Sequence, residues 1–263
     1  VQTPEQLRTF LDEQADRFNR PEFIEDDPIS IPHRFSKKED IEIAGFLTAT
    51  IAWGQRPVIL KNALELVERM DMAPFSFIQE HSIQERKRFN SYVHRTFNGV
   101  DLCYFMKALQ QLYNTEQGLE GCFSTSFQES DADMGATISS VRQKFMRYRP
   151  QVRTGKHFAD PLRNSSAKRI NMFLRWMVRK DNRGVDFGIW NKIPPSALYI
   201  PLDLHSGTVA RELGLLNRKQ DDWKAVTELT HRLRTLDSTD PIRYDFALYG
   251  TGVFNRYQRI KNA

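Results

Sequence analysis

Cysteine is scarce: the 263 residues contain two, Cys103 and Cys122. Two thiols make neither a disulfide framework nor a tetrahedral thiolate site, so a reducing compartment is the natural one and no metal is expected. No iron–sulfur or zinc motif is visible, and no cofactor is implied. Long hydrophobic runs are missing too; no charge-free apolar stretch approaches the roughly 18 residues a membrane span needs, so no membrane partner is expected. The first residues, VQTPEQLRTFLDEQADRF, have the pattern of an amphipathic helix and not of a secretory signal, and the expected location is cytoplasmic. Alternating strand patterns are rare, and there is no internal repeat and no low-complexity tract, which speaks against sheet and repeat architectures.

What the chain does have is helical periodicity. Apolar residues recur at helical spacing in Ile43, Phe46, Leu47 and Ile51, in Leu60, Leu64, Val67 and Met70, and in Leu102, Phe105, Met106 and Leu109. Asp40, Asp101 and Asp221 stand where helices should begin, and Asp240-Pro241 pairs an acidic cap with a first-turn proline. Proline-bearing breaks fall near Pro28–Pro32, Pro57, Pro74, Pro161, Pro194–Pro195 and Pro201, while the polar, glycine-containing Glu116–Asp133 reads as a loop. The expectation is an all-α fold of about ten helices. With 40% hydrophobic residues the chain can bury a substantial core. It reads as one compact helical unit, 1–263, with a bundle subdomain of about 45–150 and a second of about 1–44 plus 151–263, or a boundary shifted within 130–160.

Charge is unevenly spread. Residues 1–141 carry 14 Lys+Arg against 22 Asp+Glu, and residues 142–263 carry 24 against 11. A basic half on an otherwise acidic chain suits phosphate-backbone binding, because each neutralised phosphate releases counterions. A solvated basic surface, or one that meets an acidic protein partner, would give the same counts.

Two stretches of the basic half carry chemistry. Leu162-Arg163-Asn164-Ser165-Ser166-Ala167-Lys168-Arg169 is a short polar turn that feeds a helix in which Ile170, Phe173, Leu174 and Met177 share one face. Lys168, Arg175 and Arg179 lie at nearly one azimuth opposite, so that face reads as cationic. Free backbone N–H groups at the helix start could hold a phosphate, helped by Lys168 and Arg169. The second stretch, Pro201-Leu202-Asp203-Leu204-His205-Ser206-Gly207-Thr208-Val209-Ala210-Arg211, ends an extended approach on an aspartate that opens a helix. As a cap alone, Asp203 would contribute about 1 kcal/mol. Asp186 and Asp245 are candidates for buried pairs whose partners the sequence does not name.

In order and spacing, Leu-x5-Lys-x-x-Asn-x-x-Leu followed by Pro-x-Asp-x-His resembles the endonuclease III and 8-oxoguanine glycosylase superfamily of helix-hairpin-helix proteins. The resemblance covers roughly half of the chain; the whole sequence also resembles an uncharacterised bacterial family of conserved hypothetical proteins. It implies two helical subdomains with a cleft between them, a DNA glycosylase with β-lyase activity, Lys168 as nucleophile and Asp203 as the essential carboxylate. Asn164, Ser165, Ser166, Arg169, Arg175 and Arg179 would then meet DNA. Leu47–Arg56 looks like the helix and turn that bring a glutamine to DNA, which adds Gln55 and Arg56. Trp53, His205 and Phe246 are candidates for the base pocket, although Trp53 equally suits a core and His205 a local backbone contact.

The departures from the superfamily are specific. Its hairpin carries glycines where this chain has Asn164 and Ser166; asparagine tolerates the left-handed backbone region and serine does so poorly. Thirty-five positions separate Lys168 from Asp203, so Asn182–Ser196 must form an extra loop whose Val185, Phe187, Ile189 and Trp190 pack back onto the domain. The expected partner is damaged duplex DNA, with RNA as an option, and the favoured state is a monomer. The alternative reading is a non-catalytic DNA- or RNA-binding protein that keeps the hairpin fold.

Overall fold

The structure, a computed structural model, describes residues 3–148 and 152–261, with side chains followed through Phe254 except that of Val152. Among the described residues are thirteen α-helices, short 3-10 turns and one two-stranded hairpin, in which Val93 pairs with Asn98 and His94 with Phe97. The all-α expectation holds. In chain order the helices are α1 (Pro4–Phe18), α2 (Glu22–Glu25), α3 (Lys38–Ile51), α4 (Arg56–Glu68), α5 (Pro74–Glu80) and α6 (Ile83–Arg86). Then follow α7 (Gly99–Thr115), α8 (Gly118–Glu129), α9 (Met134–Phe145), α10 (Lys168–Val178), α11 (Leu204–Glu212), α12 (Trp223–Leu236) and α13 (Tyr244–Lys261). No described helix is long and apolar enough to cross a membrane.

The chain divides into two compact units, one of residues 24–162 and one of residues 1–23 with 163–263. The division expected at 44/45 would fall inside α3, and the prolines at 28 and 32 start 3-10 turns that pack on that helix. The other expected boundary, near 150, lies outside the described residues. Beyond it, Phe158 packs in the aromatic core of the 24–162 unit and Asp160 accepts a 2.7 Å hydrogen bond from Ser139, so that segment stays with that unit.

In the 24–162 unit, α3 is buried from Ile41 to Ile51, as a helix that is apolar nearly all round must be. Its Phe46 meets the rings of Phe105, Phe145 and Phe158 at 5.5–6.0 Å. On α4 the buried face is Ile59, Ala63, Leu66 and Val67, with Leu60 and Leu64 at its flank and not, as their spacing suggested, at its centre. Glu116–Asp133 is not a loop: Leu119, Cys122, Phe123 and Phe127 form one buried stripe on α8, and that burial overrides the polar composition. Asp40 and Asp101 sit in first turns as expected, but the cap of α7 is Asn98, in a reciprocal capping box with Asp101.

In the other unit α1 lies along α13, and α11 packs on α13. Both contacts need glycine. A Cβ at Gly250 would lie 2.2 Å from the Phe18 ring, and one at Gly252 would lie 2.9 Å from the His205 carbonyl oxygen. Asp12 of α1 accepts from Arg243 at 2.6 Å and from the Tyr244 hydroxyl at 2.9 Å, which fixes the start of α13. The loop expected at 182–196 does fold back: Val185 and Trp190 are buried, Phe187 and Ile189 half-buried. Its backbone satisfies the end of α10, with Phe187 N on the Trp176 carbonyl at 2.8 Å and Trp190 N on that of Met177 at 2.9 Å.

Gly250→Ala forces a methyl into the Phe18 ring, and overpacking of this kind costs about 1–3 kcal/mol. We expect a lower urea midpoint at unchanged m, with part of the loss recovered in Gly250→Ala/Phe18→Leu; an unchanged midpoint in the single variant would show that α1 and α13 do not pack this closely.

Candidate active site

The turn before α10 takes its shape from two left-handed residues, Asn164 at φ 63° and Ala167 at φ 49°. The first is asparagine, a residue type that tolerates this conformation. Ser166, expected to be the strained one, has no positive φ; the second left-handed residue falls one place later, at Ala167. The turn is tied down from two sides. Asn164 donates to Asp222 at 3.0 Å, and Ser165 bridges to Asp222 in an isolated antiparallel pair. On the inner side the amide of buried Asn171 donates to the Ser166 carbonyl at 3.2 Å. Asp222 is also the cap of α12, one residue after the expected Asp221, and Arg218 holds its carboxyl far below the usual carboxylate range.

Lys168 is the first residue of α10, a start that no side chain caps. Asp203 is the cap of α11: its Oδ1 accepts the backbone N–H groups of His205 at 2.8 Å and Ser206 at 2.9 Å, while Ser206 Oγ accepts from the Asp203 N–H at 2.9 Å. That leaves Oδ2 for Lys168, whose Nζ lies 3.1 Å away. The two side chains, thirty-five positions apart in sequence, therefore meet at the starts of two helices. Burial works against the Asp203 charge, but the Lys168 ammonium and the Ser206 backbone N–H outweigh it and hold the carboxyl below its ordinary value. Lys168 keeps a 37% exposed side chain, so a substrate can reach it.

The cationic face expected along α10 is not a surface. Arg175 and Arg179 are only 5% and 3% exposed, which corrects their assignment to DNA. Arg175 sends Nε to Asp186 at 3.2 Å and Nη1 to Asp245, with its guanidinium 4.4 Å over the Phe246 ring. Arg179 binds Asp181 at 2.7 Å, Asp186 at 3.1 Å and Asp240 at 2.9 Å. Asp186 and Asp245 are thus buried-pair residues, as expected, and their partners are the arginines that helical spacing placed in solvent. The acid residues that recruit them arrive from the loop after α10 and from α13, which periodicity within one helix cannot reveal. Phe246, 1% exposed beneath both arginines, is core and not base pocket.

The remaining candidates divide between the units. Arg169, on α10, is half-buried, and burial disfavours its charge. His205 is half-buried with its ring edge-on to Tyr249 at 6.0 Å. Trp53, Gln55 and Arg56 belong to the 24–162 unit. There Trp53 is half-buried between His94 and His157, Gln55 is exposed, and Arg56 opens α4. That unit also has a cavity of about 310 Å³ lined by Lys38, Glu42, Phe75 and Tyr113 among others. Among the described residues no group of His, Cys, Asp and Glu is arranged to hold a metal ion.

The fold and the site together define a helical protein with a lysine–aspartate ion pair at two helix N-termini, backed by buried arginine–aspartate pairs. The chain belongs to the family DUF2400, whose description is a protein of unknown function; its model matches residues 27–254. No curated protein and no solved structure matches the chain.

The site's structural roles separate by substitution. Asp203→Ala removes a cap and an ion pair and should cost about 1–2 kcal/mol at neutral pH, while Asp203→Asn, an equally good cap, should recover the cap's share but not that of the charge paired with Lys168. Because the folded carboxyl titrates lower than the unfolded one, near 3.9, its contribution is present above that value and is lost as pH falls through the lower folded value. The Asp203→Ala deficit measured in urea should therefore shrink below about pH 4; a deficit that stays constant there would mean that the ionised carboxylate is not what stabilises. Arg175→Met strands the buried carboxylate of Asp245 and leaves Asp186 to Arg179 alone, and should cost about 3–5 kcal/mol, an effect a surface arginine would not have.

Proposed function

We propose that this protein is a DNA base-excision glycosylase with β-lyase activity, in which Lys168 is the nucleophile and Asp203 its carboxylate partner. The observation that carries the reading is the 3.1 Å contact between Lys168 Nζ and Asp203 Oδ2. The reading includes a helix-hairpin-helix glycosylase-like arrangement of the helices, and duplex DNA carrying a damaged base, such as an oxidised one, as the partner.

The chemistry asks little more than these two groups. Lys168 passes an N–H proton to Asp203, and its lone pair attacks the sugar C1′ of an extruded nucleotide as the bond to the base breaks. The base leaves with that electron pair and takes up a proton. The ring then opens: the C1′–O4′ bond breaks, O4′ is protonated, and nitrogen and C1′ share a protonated Schiff base. Loss of a C2′ proton expels the 3′ phosphate. A carboxylate at a helix N-terminus also stabilises the positive charge that builds on the sugar. Asn164, Ser165 and Ser166, with the uncapped start of α10, supply polar groups for a flanking phosphate.

Borohydride trapping on duplex DNA carrying an abasic site or 8-oxoguanine tests the reading. The wild type should form a covalent adduct, Lys168→Ala none, and Asp203→Asn should keep DNA binding while turnover drops about 10²-fold or more. If no adduct or nick forms on any lesion while the wild type binds DNA or RNA with a steep salt dependence, the protein is a non-catalytic binder that keeps the fold.

A further inference from the structure

The turn that feeds Lys168 is joined to a segment far away in sequence, the chain between α11 and α12. Ser165 bridges antiparallel to Asp222, Asn164 donates its amide to Asp222 at 3.0 Å, and the Trp223 N–H reaches the Asn164 carbonyl at 3.4 Å. Residues 163–168 and 218–224 are thereby laid side by side, within the unit that holds the Lys168–Asp203 pair.

In sequence the second segment, Arg218-Lys219-Gln220-Asp221-Asp222-Trp223-Lys224, mixes charges of both signs. The structure sorts them. Arg218 donates to Asp222 through Nε at 2.6 Å, and Arg211 of α11 reaches Asp221 at 2.6 Å and the Lys219 carbonyl at 3.1 Å. Glu228 of α12 accepts the Asn217 N–H at 2.7 Å. Two arginines thus neutralise the two aspartates and pin the segment. What remains is cationic: Arg163, Lys219 and Lys224 are exposed, and among the described residues none of the three forms an ion pair. Between the lysines Trp223 is half-buried, its ring stacked on that of Tyr199 at 5.0 Å.

We propose that this strip is a track for the phosphate backbone of nucleic acid. Arg163, Lys219 and Lys224 meet phosphates that flank the one at the start of α10, and the open part of Trp223 lies against a sugar or base of the same strand. Cations without carboxylate partners release counterions from phosphates at little cost to the protein. An aromatic ring placed among them suits a polymer that alternates phosphates with rings better than it suits an acidic protein surface. The inference takes its partner from the lyase reading above and adds where the strand runs.

Anisotropy of a labelled duplex carrying an abasic site, titrated with the full chain between about 50 and 200 mM salt, tests the track. Lys219→Gln/Lys224→Gln should flatten the plot of log affinity against log salt by about 2, and each lysine should be worth about eight-fold in affinity at about 0.1 M salt. Both side chains are exposed, so the urea midpoint should stay that of the wild type. Borohydride should still trap the adduct once the protein concentration exceeds the weakened dissociation constant. Lys180→Gln, which removes an exposed charge at the other end of α10, roughly 16 Å along the helix, should leave the slope alone. A slope unchanged in the double variant, or flattened as much by Lys180→Gln alone, overturns the inference. A slope that flattens as expected in a protein that traps no adduct overturns the lyase reading and leaves the track standing; an adduct with an unchanged slope does the reverse. A wild type that binds no DNA overturns both.

Discussion

The burial of two guanidinium groups governs the unit that carries the candidate site. An ion taken out of water into a protein interior loses several kcal/mol of hydration, and only close, well-oriented partners return it. Arg175 and Arg179 meet that demand with four aspartates drawn from the chain after α10, from the start of α13 and from the turn before it. Arginine suits the role because its planar fork can face several carboxylates at once. The partners come from segments far apart in sequence, so the same contacts that neutralise the charge also fix where α10 and α13 lie. Lys168 inherits its position from that arrangement, and Asp203 from the packing of α11 on α13.

Much of this was legible from the residues. Helical spacing located the apolar faces of α3 and α7, the cap at Asp203 followed from an aspartate that ends an extended approach, and Asp186 and Asp245 stood out as acids inside apolar stretches. The sequence also placed Ile170, Phe173, Leu174 and Met177 of α10 in the core. It failed where the deciding neighbour was remote. Arg175 and Arg179 look like solvent-facing cations until aspartates from the loop after α10, from the turn before α13 and from α13 itself arrive. Glu116–Asp133 looks like a loop until α7 and α9 cover Phe123 and Phe127. Phe246 could not be told from a base-stacking ring without knowing that a guanidinium lies over it.

The turn before α10 shows how left-handed backbone is accommodated without glycine. Left-handed backbone costs a side-chain-bearing residue about 1 kcal/mol or more, yet Asn164 and Ala167 both adopt it. Asn164 offsets that cost with its bond to Asp222, and Asn171 holds the other limb of the turn through the Ser166 carbonyl. The turn is rigid because of its neighbours and not because of its own sequence.

The unit that holds Lys168 and Asp203 is built from two stretches of chain separated by all of residues 24–162. A ribosome releases α1 first and α13 last, so α1 must wait, its apolar side uncovered, while the intervening unit emerges and folds as one continuous piece. Closing the gap is inexpensive in entropy, since the penalty grows only with the logarithm of the loop, and the intervening unit shortens the effective loop once it has compacted. The order matters more than the penalty: the buried ion pairs and the helix starts that meet at Asp203 are assembled only when α13 has arrived. A nascent chain of this protein would therefore carry a folded aromatic core well before it carries a site.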